Sequence, residues 1–243
     1  MTRREFITFL GGVAAWPKAA PGQEANRIKR IGVLLNLDRE DPESLARVAA
    51  FSQGLMELGW VDGRSVRIDI RYAAANNERF RIFAAELVAI APDVILAATT
   101  PAVTALQQVT GTVPIVFVTV IDPVSAGFVS NLAHPGGNTT GFSLYEYGTS
   151  VKWLELLKEL APGVTRVAVL RDPTLASGIG QVAAIQAVAP SLGVELHPLD
   201  VRDPHEIERG VTAFARGSND GLIVTGSPAQ GIHRRVILTG NSA

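Results

Sequence analysis

Short runs of β-branched and apolar residues alternate along this chain with longer segments whose apolar positions recur every three or four residues. RIGVLLN (30–36), VRIDIRYA (66–73), DVILAAT (93–99) and PIVFVTV (114–120) are β-rich, and most are apolar on consecutive positions, as in strands covered on both faces. Helical spacing occupies about 42–58, about 77–90 and the stretch from about 100 to Gln108. Buried strands separated by helices predict parallel βαβ units with helices on both faces of a sheet.

The pattern restarts after PGGNTTGFS (135–143) and a helical segment at about 150–160. VTRVAVL (164–170) answers RIGVLLN, SLGVELHPLDV (191–201) answers ELGWVDGRSVRIDIRY (57–72), and NDGLIVTGSPAQGI (219–232) answers PDVILAATTPAVTA (92–105). Two copies of one lobe follow, an α/β fold of two Rossmann-like, doubly wound parallel-sheet lobes. The first lobe is read over 26–138, and the hinge crossover with the second lobe over 139–243. The second copy supplies three strands, the last ending at VTG (224–226), and AQGIHRRVILTGNSA begins a helix with no fourth strand after it. The sequence therefore predicts an incomplete, C-terminally truncated second lobe, with an open apolar sheet edge and a cleft short of part of its far wall.

Ahead of the first strand, MTRREFITFLGGVAAWPKAAPG carries Arg3-Arg4, an apolar stretch from Phe6 to Trp16 and small residues at Ala19-Ala20. This is the layout of an export signal over residues 1–25, and the paired arginines resemble a twin-arginine leader, which implies a periplasmic protein. The apolar part is too short to anchor the chain across a bilayer.

Charge and composition narrow the partners. Lys and Arg number 22 against 23 Asp and Glu, so no basic field exists to hold nucleic acid. Cysteine is absent, which removes thiol chemistry and Cys-based metal sites. His134, His197, His205 and His233 stand singly, none at ligand spacing, and neither a metal nor a cofactor is expected.

In open α/β sheets, ligands gather beyond the carboxyl ends of the strands, where loops lead into helix N-termini. DVILAATTPAVTAL breaks from strand to helix at Thr99-Thr100-Pro101, and the second copy breaks at Thr225-Gly226-Ser227-Pro228. Two lobes face to face put both hydroxyl-rich breaks on one cleft. Each can hold a polar or anionic small group through hydroxyls and free helix N–H groups.

QGLMELGWVDGRSVRIDIRYA, APDVILAATTPAVTALQQVTGTVPIVFVTVIDPVSAGFVSNLAHPGGNTTGFS and LKELAPGVTRVAVLRDP, within about residues 28–235, resemble the ABC-transporter substrate-binding proteins related to tryptophan/tyrosine-type uptake systems. The resemblance implies a type I periplasmic-binding-protein fold, a monomer closing on a small amino-acid-like solute, and a membrane ABC permease as partner. It implies no enzymatic activity.

On this reading Asn36, at the end of the first strand, offers an amide to the ligand, or else caps the next helix. Thr99, Thr100 and Ala102 form the first break and suit a ligand carboxylate, or else serve as an N-cap. Asp122, after the fourth strand, suits a ligand ammonium, or starts a turn with Pro123. Asp172 holds the place of Asn36 in the second copy, while Thr225 and Ser227 repeat the hydroxyl pair. Tyr145, after the crossover, offers an aromatic wall. The acidic group DREDPE (38–43) complements the first helix's N-terminus.

Two other functions match parts of the sequence. Gly178-Ile179-Gly180-Gln181-Val182-Ala183 matches G-x-G-x-x-A, with Asp200 where a ribose-binding acid would stand, which suggests a nucleotide-dependent oxidoreductase. RDPTLAS, however, separates these glycines from the strand that should lead directly into them. A cytoplasmic ligand-sensing domain on the same fold would carry a DNA-binding helix-turn-helix in place of the leader.

Overall fold

The computed structural model describes residues 27–214 and 219–239, and the expected leader lies outside them. Strands β1 (Lys29–Leu35), β2 (Val66–Tyr72), β3 (Val94–Ala98), β4 (Ile115–Val120) and β5 (Thr139–Ser143) form one sheet in the order β2-β1-β3-β4-β5. A second sheet contains β6 (Arg166–Arg171), β7 (Glu195–Asp200) and β8 (Asp220–Val224) in the order β7-β6-β8. Every pairing is parallel. The smaller sheet has the three strands read from the second copy.

Parallel neighbours need crossovers, and helices supply them. They are α1 (Pro42–Glu57), α2 (Asn77–Ala89), α3 (Thr100–Val109), α4 (Thr149–Leu160), α5 (Ala176–Val188), α6 (Pro204–Phe214), α7 (Pro228–Ile232) and α8 (Arg234–Thr239). One face of the larger sheet packs Leu34, Ile95, Ile115 and Phe117 with Phe80 and Leu87 of α2 and Leu106 of α3. The other face sets Val33, Leu35 and Ala98 against Val48 and Phe51 of α1. The second sheet is covered likewise, by α4 and α5 through Leu154 and Ile185, and by α6 and α8 through Ile207, Val211 and Ile237. Both lobes are thus doubly wound. Asp41 caps α1, accepting from the amides of Glu43 at 2.8 Å and Ser44 at 3.2 Å, which gives the acidic run its helix-terminal role.

The boundary expected at 138/139 falls inside the larger sheet, because Thr139–Ser143 pairs with β4 as its fifth strand. The crossover proper begins at Leu144. Strand order places the switch point of the larger sheet between β1 and β3, and that of the smaller between β6 and β8. The crevices at these two points open beyond the strand ends.

Asp93 ties the start of β3 to that of β1 by accepting from the Arg30 amide at 2.8 Å, with Lys29 and Arg27 beside it. The Arg30 N–H, helped by both cations against the cost of burial, holds the carboxyl below the usual carboxylate range. A depressed pKa stabilises above the unfolded value near 4, and the gain is lost as pH falls through the folded value. Asp93→Asn is expected to lower Tm at pH 7 by about 2 °C, as for a partly exposed ion pair worth under ~1 kcal/mol. Melts repeated from pH 7 down to about 3 should show that deficit closing.

Candidate functional site

The interlobe crevice holds a cleft of about 450 Å³ whose walls include Asn36, Thr99, Thr100, Thr119, Tyr145, Gly226 and Ser227. Five of the residues expected from sequence meet here: Asn36, Thr99, Thr100, Tyr145 and Ser227.

The first lobe supplies the unspent chemistry. Asn36 follows β1, and its Oδ1 is buried without a partner. Thr99 follows β3 at φ 78°, ψ 163°, a region almost reserved for glycine, and it makes no side-chain cap on α3. Its Oγ1 is likewise buried and unpartnered. Thr119, in β4, stands at φ 54° where the β4–β5 register slips, and its Oγ1 is the third such atom. A buried polar group with no partner costs about 1–3 kcal/mol. Three such atoms lie on one cleft wall, at the ends of the adjacent strands β1, β3 and β4. Thr100 lies beside them, and the first turn of α3 adds the N–H groups of Thr100 and Ala102. The Ala102 side chain itself is fully buried in the lobe's core, off the cleft wall.

Asp122 is placed differently. Its Oδ1 accepts from the Ser125 amide at 2.9 Å and its Oδ2 from the Tyr147 amide at 3.1 Å. Both oxygens are thus engaged by backbone, one starting the Pro123 turn and one fastening the crossover to the first lobe. In the second lobe, Asp172 accepts from the Thr174 amide at 2.9 Å and hydroxyl at 2.6 Å, a side-chain turn. It borders a neighbouring cavity of about 360 Å³ with Asn76, Arg202 and His233. Thr225 is fully buried, and its hydroxyl donates to the Leu170 carbonyl at 2.9 Å. Ser227 caps α7 by accepting from the Gln230 amide at 3.2 Å. The hydroxyl pair of the second copy is therefore spent locally, and that of the first is not.

Tyr145 meets Trp153 edge-on, with ring centroids 5.5 Å apart, and its hydroxyl donates towards Gln181 Oε1 at 3.4 Å. Burial raises the pKa of Tyr145, and that of Tyr147 is raised by burial and then by the nearby Asp122 carboxylate. Both phenols stay neutral at neutral pH.

Sequence reasoning missed Thr119, Glu43, Arg47, Ser177 and Gln230, all on the cleft wall. Glu43 and Arg47 pair at 2.5 Å across one turn of α1, which puts one charge of each sign at the cleft lip. Their i, i+4 spacing was the available signal. The G-x-G-x-x-A match has a packing cause. A Cβ on Gly178 would lie 2.2 Å from the Asp172 carbonyl oxygen, and one on Gly180 would lie 2.2 Å from the Tyr147 ring. The two glycines let α5 approach the end of β6 and seat the crossover. Among the described residues, no group of His, Asp and Glu is placed to hold a metal ion.

Two parallel-sheet lobes facing each other across a polar cleft at their strand ends define a two-lobed binding protein. The model of the ABC transporter substrate binding protein family matches residues 31–230, and the chain belongs to that family. The family is one of substrate-binding proteins, not of enzymes. A tyrosine-binding protein of Clostridioides difficile (strain R20291) is 26% identical over 211 residues, 84% of this chain. The chain spans 60% of that relative's length. A Streptococcus pneumoniae ABC domain solved in complex with L-Trp is 26% identical, with a TM-score of 0.76 over 88% of this chain and 71% of that one. The ligand-free, open structure of a substrate-binding protein with adhesive properties from Clostridium difficile is also 26% identical. It covers 88% of this chain and 70% of its own, yet its TM-score is 0.58. At equal identity and near-equal coverage, the backbone as a whole matches the L-Trp complex more closely.

Proposed function

We propose that the chain is the extracytoplasmic solute-binding component of an ABC importer, closing its lobes around a small amino-acid-like solute and presenting it, as a monomer, to a membrane permease. The observation that carries this reading is the set of three buried, unpartnered groups, Asn36 Oδ1, Thr99 Oγ1 and Thr119 Oγ1, on one wall of the cleft. A ligand that satisfies them in the closed form alone supplies the differential affinity that closure needs. Glu43 and Arg47 at the lip complement a zwitterion, with the carboxylate to Arg47 and the ammonium to Glu43. Thr100 and Ser227 line the path between, and Tyr145 supplies the aromatic wall. Asp122 fastens the crossover that carries Tyr145, Ala102 and Thr225 are buried within their lobes, and Asp172 borders the neighbouring cavity. The names of the relatives favour an aromatic amino acid, and a twin-arginine-like leader fits export to the periplasm.

A thermal-shift screen of the proteinogenic amino acids tests the reading. L-tyrosine or L-tryptophan at a hundredfold excess over Kd stabilises by about 2.7 kcal/mol, a rise of roughly 5–10 °C for a chain of this size. No shift with any amino acid at millimolar concentration would remove the amino-acid assignment.

A further inference from the structure

We propose that Gln181 is a positioning residue which sets the second-lobe wall of the cleft by holding two separate parts of it on one oxygen; this rests on the solute-binding reading above. Gln181 is fully buried within α5. Its Nε2 donates to the Ser177 carbonyl at 2.9 Å, one turn earlier, which fixes the direction of the amide. Oε1 then receives the Gly226 N–H at 3.3 Å and approaches the Tyr145 hydroxyl at 3.4 Å. Gly226 follows β8 and Tyr145 belongs to the crossover, and both line the cleft.

The fit around Gly226 makes that shared oxygen consequential. A Cβ there would lie 2.4 Å from Ile121 Cδ1 and 2.7 Å from the Tyr145 hydroxyl oxygen, so the backbone after β8 is pressed against the first lobe and the crossover together. A displacement of Tyr145 therefore reaches Gly226 through Gln181, and the reverse. An apolar side chain of equal size fills the same space without the cost of burying an amide, but it leaves the Gly226 N–H without this acceptor. Both contacts to Oε1 are long, and they have room to shorten when a solute draws the walls together.

Trp153 reports on this arrangement without any ligand, because its ring rests on Tyr145. The chain has three tryptophans, so Trp16→Phe with Trp60→Phe leaves Trp153 as the single emitter. In that full-length background, Gln181→Met and Tyr145→Phe are each expected to raise acrylamide quenching of Trp153 by the same amount, and the double variant by no more. By calorimetric titration each variant weakens L-tyrosine or L-tryptophan about tenfold, again without further loss in the double variant, as coupled residues behave. Additive effects, or a Gln181→Met protein with parental quenching and affinity, overturn the proposal. A parent that binds neither amino acid defeats the solute assignment alone, because the ligand-free quenching still decides the role of Gln181. Should Gln181→Met not fold, Tyr145→Phe in the ligand-free protein carries the test, and unchanged quenching there overturns it.

Discussion

Thr99→Gly is expected to raise the Tm of the ligand-free protein by about 2–4 °C while weakening solute binding about tenfold. The backbone at φ 78°, ψ 163° costs a threonine of order 1–3 kcal/mol, and glycine removes that strain. Glycine gives back about 0.5–1 kcal/mol through its freer unfolded chain, so a net gain of about 1 kcal/mol remains. For a chain of this size that corresponds to the stated shift. The hydroxyl lost is the buried, unpartnered Thr99 Oγ1, so the free protein loses no bond and the complex loses one, about 1.4 kcal/mol for a tenfold change. Opposite signs in melting and in titration mark a group held for its ligand. A lower Tm with parental affinity would make Thr99 a structural residue and sink the argument.

Gly178→Ala is expected to be strongly destabilising. The new Cβ would sit 2.2 Å from the Asp172 carbonyl oxygen and 3.1 Å from its carbon, both backbone atoms at the end of β6. Relief requires α5 to retreat from the second sheet, at about 3 kcal/mol. Tm then falls by roughly 6–12 °C. Gly54→Ala in α1 is the control, since nothing stands within 4 Å of its Cβ and a helix interior favours alanine by about 1 kcal/mol. Melting curves for both variants, with and without NAD, also test the dinucleotide motif. Protection by NAD in the parent, lost in Gly178→Ala, would revive the nucleotide reading.

What the sequence disclosed followed from periodicity. Runs apolar on consecutive positions marked β1, β3, β4 and β6, because those strands are covered on both faces and every side chain must be apolar. β5 escaped notice because only Thr139 of its five residues is buried, while Thr140, Phe142 and Ser143 face outward at a sheet edge. The rule that ligands gather at strand ends brought together Asn36, Thr99 and Thr100, which line one interlobe cleft. Thr119 lay beyond that rule, since its exposure to the cleft depends on a left-handed kink inside a strand that reads as regular. The twin hydroxyl breaks looked equivalent in sequence, yet an unfavourable backbone angle leaves Thr99 unbonded, while Thr225 turns to Leu170. Aligned on Pro101 and Pro228, Thr99 stands opposite Gly226, so the two breaks share hydroxyls but not their positions.

The three unpartnered groups also act as a ruler. They belong to β1, β3 and β4, which are consecutive in the sheet, and neighbouring strands lie roughly 5 Å apart. Asn36, Thr99 and Thr119 therefore mark off a line of roughly 10 Å with a polar tick at each end and one in the middle. A guest with polar atoms clustered at one end reaches two ticks and leaves the third dry. On the solute-binding reading proposed above, an elongated guest with polar atoms at both tips and midway would meet all three, so length would select among solutes of the same charge.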